Sequence, residues 1–119
     1  MARGSETLDH ILLGCCFSQE VWHLCLGRVH LNLDTRLGER SALEWWIHSR
    51  KAVPKFFRRG FDSYVLLVGW SLWKERNART FQARATGAQR LAALIKDEAN
   101  VWCEAGNGHL ATLLARATA

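Results

Sequence analysis

The sequence predicts an all-α protein: a compact bundle of about five or six helices around one long apolar helix at about residues 61–81. Apolar residues recur every three or four positions through most of the 119 residues, which is the period of a helix with one buried face. No segment alternates apolar and polar residues as a half-buried strand does. Because 49% of the residues are hydrophobic and six are Trp, the chain has enough apolar side chains to form one hydrophobic core. We therefore expect a single helical domain over residues 1–119, frayed at 1–5 and 117–119.

Two helices are expected before residue 30. In the first, apolar residues share one face at i, i+3, i+4 and i+7: Leu8, Ile11, Leu12 and Cys15. The second begins at Ser18 and ends near Val29, and a polar connection follows over residues 30–40.

A capping box marks the third helix. Ser41 and Glu44 have the spacing at which each side chain satisfies a backbone N–H near the other. The helix then extends to about Lys51. Pro54 separates it from the next helix, because the residue before a proline is disfavoured in helical conformation.

The fourth helix begins at Asp62 or Ser63, and residues 64–73 are apolar on nearly every side. This run is about half the length needed to span a bilayer, so no transmembrane segment is expected. A helix that is apolar all round is normally surrounded by protein. Any face left uncovered would favour self-association. We therefore expect a homodimer, with residues 43–47 at the contact.

Two shorter helices complete the predicted bundle. Thr86 and Gln89 form a second capping-box pattern before a helix that includes Trp102. The glycines of residues 106–108 end that helix, and a short last helix covers residues 110–117.

Four strings carry a resemblance to a known family: residues 6–22 (ETLDHILLGCCFSQEVW), 45–46 (WW), 60–81 (GFDSYVLLVGWSLWKERNARTF) and 98–106 (EANVWCEAG). Together they resemble the zinc-binding region at the C-terminal end of plant non-LTR (LINE-type) retrotransposon reverse transcriptases. The polymerase domain with its catalytic aspartates has no counterpart in 119 residues. The resemblance therefore implies a truncated, free-standing fragment that does not copy RNA.

The family's zinc site is only half represented. In the family, an upstream Cys-x-x-Cys pair completes a site with a His and a Cys that correspond here to His10 and Cys15. No such pair precedes residue 6 in this sequence, and structural zinc takes four ligands. The two residues are either a vestigial pair or half of a zinc site shared between two chains, with Cys16 as a spare ligand. No other cofactor is expected.

The charge distribution leaves two interpretations open. The net charge is +5, and ten of the sixteen Lys and Arg residues lie between positions 50 and 90, with only two acidic residues. These side chains either neutralise phosphates or merely solvate the ends of an apolar helix. The candidate nucleic-acid contacts are Arg58, Arg59, Lys74, Arg76 and Arg79.

Two functions of different classes follow. The first is a non-enzymatic protein-interaction module with Trp45, Trp46, Trp70 and Trp73 as contacts. By analogy with other reused fragments of mobile elements, its role is that of a regulator, inhibitor, toxin or antidote. The second is a residual, sequence-independent RNA- or DNA-binding module. Enzymatic activity is not expected, because no nucleophile or carboxylate is paired with a His at a telling spacing.

The expected compartment is intracellular, either cytoplasm or nucleus. The first residues lack the apolar stretch of a secretory signal, and the four Cys lack the density of a disulfide scaffold. Mitochondrial targeting is left open by Arg3.

Overall fold

Helices account for all the regular structure in the part of the chain that the computed structural model describes. That part is residues 9–36, 40–82 and 87–118, without the side chains of 79–82 and 117–118. The elements are a π-helical turn (His10–Gly14), α1 (Cys16–Arg28), α2 (Ala42–Ala52), a 3-10 turn (Lys55–Phe57), α3 (Arg58–Gln82), α4 (Ala88–Glu104), α5 (Gly108–Leu114) and a 3-10 turn (Ala115–Thr118). The predicted all-α class is confirmed. Residues 1–5 and 119 of the expected frayed ends, Leu8 of the first predicted helix and Thr86 lie outside the described residues.

The start of the chain differs from the prediction because backbone groups of the first turn bond to α1. The first predicted helix is a single π-helical turn, and Cys15, rather than a residue near Ser18, is the N-cap of α1. Ser18 is buried, and its hydroxyl donates to the carbonyl of Ile11. The indole N–H of Trp22 donates to the Leu12 carbonyl at 2.7 Å. These bonds hold the π-helical turn against α1.

Two helices end in the same hydrogen-bonded cap. After α1, His30 adopts a left-handed conformation (φ 59°), and the N–H of Leu31 bonds to the carbonyl of Leu26 at 3.0 Å. This is the Schellman pattern, in which Leu31 and Leu26 are also both buried. Gly106 has a φ of 114° in the corresponding position after α4. The predicted glycine stop after α4 is confirmed.

The first predicted capping box is confirmed, and the second is misplaced. The Ser41 hydroxyl accepts the Glu44 N–H at 3.1 Å, and the Glu44 carboxylate accepts the Ser41 N–H at 2.9 Å. At α4 the N-cap is Gly87, one residue later than the Thr86 cap predicted, and it makes no side-chain hydrogen bond. The extended backbone at Gly87 sets the start of α4 without a side-chain cap.

α3 packs against each of the other four α-helices. It begins earlier than predicted, at Arg58, whose guanidinium donates to carbonyls at the end of α2. Only its middle, residues 64–73, is mostly apolar, and that part is not buried on every side as expected. Leu66, Trp70 and Trp73 leave 57%, 52% and 39% of their surfaces exposed. No helix among the described residues has the length and apolarity to cross a bilayer.

A buried polar pair lies in the core between α1 and α3. The Tyr64 hydroxyl donates to the backbone carbonyl of Cys25 at 2.8 Å. Burial raises the pKa of the Cys25 thiol to about 11 and also raises the pKa of Tyr64. Both groups are therefore neutral at pH 7, and Cys25 serves as a small apolar residue of the core. All four Cys residues are free thiols.

α3 packs tightly against α5 at Gly60. A Cβ at this position would overlap the backbone carbonyl oxygen of His109 and lie 2.9 Å from the Leu113 Cβ. Because the nearest atoms belong to backbone, a change of side-chain rotamer cannot relieve the overlap. The separation of the two helices therefore requires glycine at this position.

We predict that Gly60→Ala lowers the free energy of unfolding by about 1–3 kcal/mol or more, the usual cost of overpacking. Gly27→Ala is the matched control, because a Cβ at Gly27 meets open space and alanine favours helix by up to about 1 kcal/mol. Urea unfolding followed by circular dichroism measures both. Equal stability of the two variants would contradict the close contact.

Candidate interaction surface

An apolar groove lies between α2 and α3. Beside it, the Asp62 side chain on α3 makes hydrogen bonds to α2. Its carboxylate accepts the indole N–H of Trp46 at 2.9 Å and the guanidinium N–H of Arg50 at 3.0 Å. The Arg50–Asp62 ion pair is partly exposed, so we assign it a positioning role and little net stability. It fixes the second half of α2 against the first half of α3.

The groove has a volume of about 530 Å³, within the size range of ligand pockets. Every side chain that lines it is apolar, and five of the six Trp residues are among them. The lining consists of Leu12, Leu13, Trp22, Ala42, Leu43, Trp45, Trp46, Val65, Leu66, Gly69, Trp70 and Trp73.

The four Trp residues predicted as contacts divide into floor and rim. Trp45 is only 1% exposed, and its ring lies 5.2 Å from that of Trp22, so it belongs to the core and forms the floor. Trp46 is half-buried and held by Asp62. Trp70 and Trp73 are exposed and stack on each other with centroids 5.3 Å apart. Only these last two present large areas to a partner.

Two residues on α2 extend the exposed surface beyond the groove. Leu43 and Ile47 are 61% and 50% exposed, and Leu43 also lines the groove. We call these two residues, together with Leu66, Trp70 and Trp73, the apolar face. Of residues 43–47, predicted at a contact, Leu43 and Ile47 are therefore exposed, whereas Trp45 forms the floor of the groove.

Periodicity explains why α3 contributes three residues to the apolar face. Leu66, Trp70 and Trp73 are spaced i, i+4 and i+7, so they lie on one side of the helix. Tyr64 and Leu67 point into the core. The Lys74 ammonium lies 5.7 Å from the centre of the Trp70 ring and marks one end of the face with positive charge.

No family model, curated protein or solved structure matches this chain. The resemblance to retrotransposon reverse transcriptases therefore stays a prediction from the sequence.

His10 and Cys15 line a second, smaller cavity of about 290 Å³, together with Glu75 and Arg76. The Cys15 thiol lies 3.1 Å from the Ser18 hydroxyl. It also accepts the backbone N–H of Ser18 and so caps the first turn of α1. In the described part of the chain, no three His, Cys, Asp or Glu side chains are grouped so that they could hold a metal ion. A zinc shared between two chains, with the exposed Cys16 as spare, stays a prediction.

The candidate nucleic-acid residues lie toward opposite ends of α3. Arg58 and Arg59 stand at its first turn, whereas Lys74 and Arg76 follow about 22–27 Å further along at 1.5 Å per residue. The Arg58 guanidinium already donates to two backbone carbonyls. The Arg79 side chain lies outside the described residues. The structure therefore does not bring the four described residues together into one basic patch.

The floor and rim assignments predict that truncation has effects of very different size. Trp45→Ala should lower the free energy of unfolding by about 3–5 kcal/mol, because it empties core volume. It also removes a 2.6 Å hydrogen bond to the Asp34 carbonyl. Trp70→Ala should change stability by less than about 1 kcal/mol, because half the ring is already in water. Urea denaturation measures both, and similar losses in the two variants would refute the division.

Proposed function

We propose that this chain is a non-enzymatic protein-interaction module that binds a helical segment of a partner at the apolar face. The observation that carries the proposal is the groove itself, lined entirely by apolar side chains with two exposed, stacked Trp residues at its rim. Exposed apolar patches of more than a few hundred Å² commonly mark interaction sites. Amphipathic helices bind such grooves through residues spaced i, i+3 or i+4, and i+7.

The groove is well suited to binding because its walls are fixed before a partner arrives. Trp22 and Trp45 hold the floor through a ring contact and two indole hydrogen bonds to backbone. Asp62 holds the wall formed by Trp46. Little conformational entropy is then lost on association, which favours affinity.

We also propose that the apolar middle of α3 organises the bundle, because this stretch supplies core residues and one groove wall. On the resemblance stated above, we propose that the module descends from the zinc-binding region of a retrotransposon reverse transcriptase. Its use as a regulator, inhibitor, toxin or antidote remains an analogy with other reused element fragments.

The proposal predicts that peptides selected on the immobilised chain from a displayed library of amphipathic helices bind at the apolar face. Trp70→Ala should weaken them on the order of tenfold or more, because exposed Trp residues are frequent interface anchors. Trp102→Ala is the matched control, since Trp102 is half-buried on α4 and does not line the groove. Isothermal titration calorimetry gives the affinities. Equal affinity for both variants would refute the proposed site.

One observation favours nucleic-acid binding as a second candidate. Lys55, Phe56 and Arg59 are all exposed at the corner between α2 and α3, and Phe56 is 75% exposed, as a base-stacking side chain would be. Arg50 and Arg58 at the same corner are already engaged with Asp62 and with backbone carbonyls, and Lys74 and Arg76 lie at the far end of α3. We therefore regard this corner as too small for stable binding.

We therefore predict that fluorescence anisotropy detects only weak binding of single- or double-stranded RNA or DNA, lost at physiological salt. Arg59→Glu should change this weak affinity for nucleic acid little more than the control Lys96→Glu on α4 does. Micromolar affinity, with a steep salt dependence that Arg59→Glu alone flattens, would favour the alternative instead.

A further inference from the structure

We infer that the apolar face binds a second copy of this chain, across a two-fold axis that pairs the two α3 helices in antiparallel orientation. This inference rests on the proposed function and names its partner. The apolar face holds a ridge and a groove side by side, so it is complementary to itself. Isologous interfaces of this kind are the commonest way in which soluble proteins form oligomers.

The ridge consists of Leu66 and Trp70, more than half exposed on α3. The groove runs directly beside it, between α3 and α2. A two-fold rotation places the ridge of each chain at the groove of the other, and both ridges are covered in one step. A single copy leaves these side chains in water.

The charges at the ends of the face favour the antiparallel register, in which the Asp62 carboxylate, paired with Arg50 of its own chain and still partly exposed, faces a lysine of the partner. Asp62 and Lys74 lie twelve residues apart on α3, about 18 Å along the helix, with the apolar ridge between them. An axis passing near Val68 brings Lys74 of one chain to Asp62 of the other at both ends. The same axis places Leu66 of each chain against Trp70 of its partner.

The size of the face sets the expected strength. Stable interfaces bury about 800 Å² per partner, and the face offers five large apolar side chains that are each 39–61% exposed. The formal charge of +5 on each chain opposes association at long range. We expect a dissociation constant on the order of 10 µM that decreases as salt is added, the opposite of nucleic-acid binding.

Sedimentation velocity on the full chain tests the inference. At about 100 µM, tenfold above the expected dissociation constant, the wild type should sediment mainly as a dimer, with a weight-average mass approaching twice the 13.5 kDa of one chain. Leu66→Glu and Trp70→Lys should each sediment as monomers, because each buries an unpaired charge twice in the symmetric contact. Leu94→Glu is the matched control, an exposed apolar residue on α4 outside the face, and should remain dimeric. Circular dichroism verifies that all variants are folded.

A mixture of the two monomeric variants tests the register. In the mixed dimer, the introduced carboxylate of one chain faces the introduced ammonium of the other, and the second Leu66–Trp70 contact is unchanged. The mixture should therefore form mixed dimers, with a dissociation constant at least tenfold below that of the homodimer of either variant. Variants that both stay monomeric when mixed would overturn the antiparallel pairing.

The remaining outcomes separate this inference from the proposed function. A monomeric wild type whose apolar face still binds the selected peptides overturns the second copy as partner and leaves the interaction module standing. A dimeric wild type that is unaffected by both charge substitutions overturns the assignment of this face. A monomeric wild type that binds no peptide at the face overturns both.

Discussion

The contact between Gly60 and the backbone of α5 determines which side of α3 faces the core. Gly60, Tyr64, Leu67 and Ser71 follow one another at helical spacing, and all four are buried. With that side packed, the residues on the opposite side of α3 face α2, the π-helical turn and water. The exposed Trp residues are therefore a consequence of where α5 packs. A larger residue at position 60 would change the surface as well as the core.

The helices were predictable because their signals are local. The Ser41–Glu44 box and the glycines after α4 act within one turn of chain, and the structure has both. The start of α1 was mispredicted because Ser18 resembles an N-cap, whereas its hydroxyl bonds to Ile11, seven residues away. A bond of that range leaves no periodic trace in the sequence.

The groove could not be located from the sequence for a related reason. Residues 64–73 are apolar on nearly every side, so periodicity cannot show which side packs and which stays exposed. The basic residues illustrate the opposite error, since only five of the ten that are close in sequence belong to α3, and these five lie toward its two ends. Trp45 and Trp46 are adjacent, yet one is core and the other is part of a wall.

The grouping of Trp residues has a spectroscopic consequence. Five of the six indoles line one groove, and only Trp102 lies elsewhere, so the intrinsic fluorescence of the protein reports mainly on that groove. Two indole pairs have centroids 5.2 and 5.3 Å apart, close enough for their electronic transitions to couple. One pair is buried and the other exposed. The near-ultraviolet circular dichroism signal thus combines a contribution that follows folding with one that follows occupancy of the surface. Both contributions can be measured on unlabelled protein.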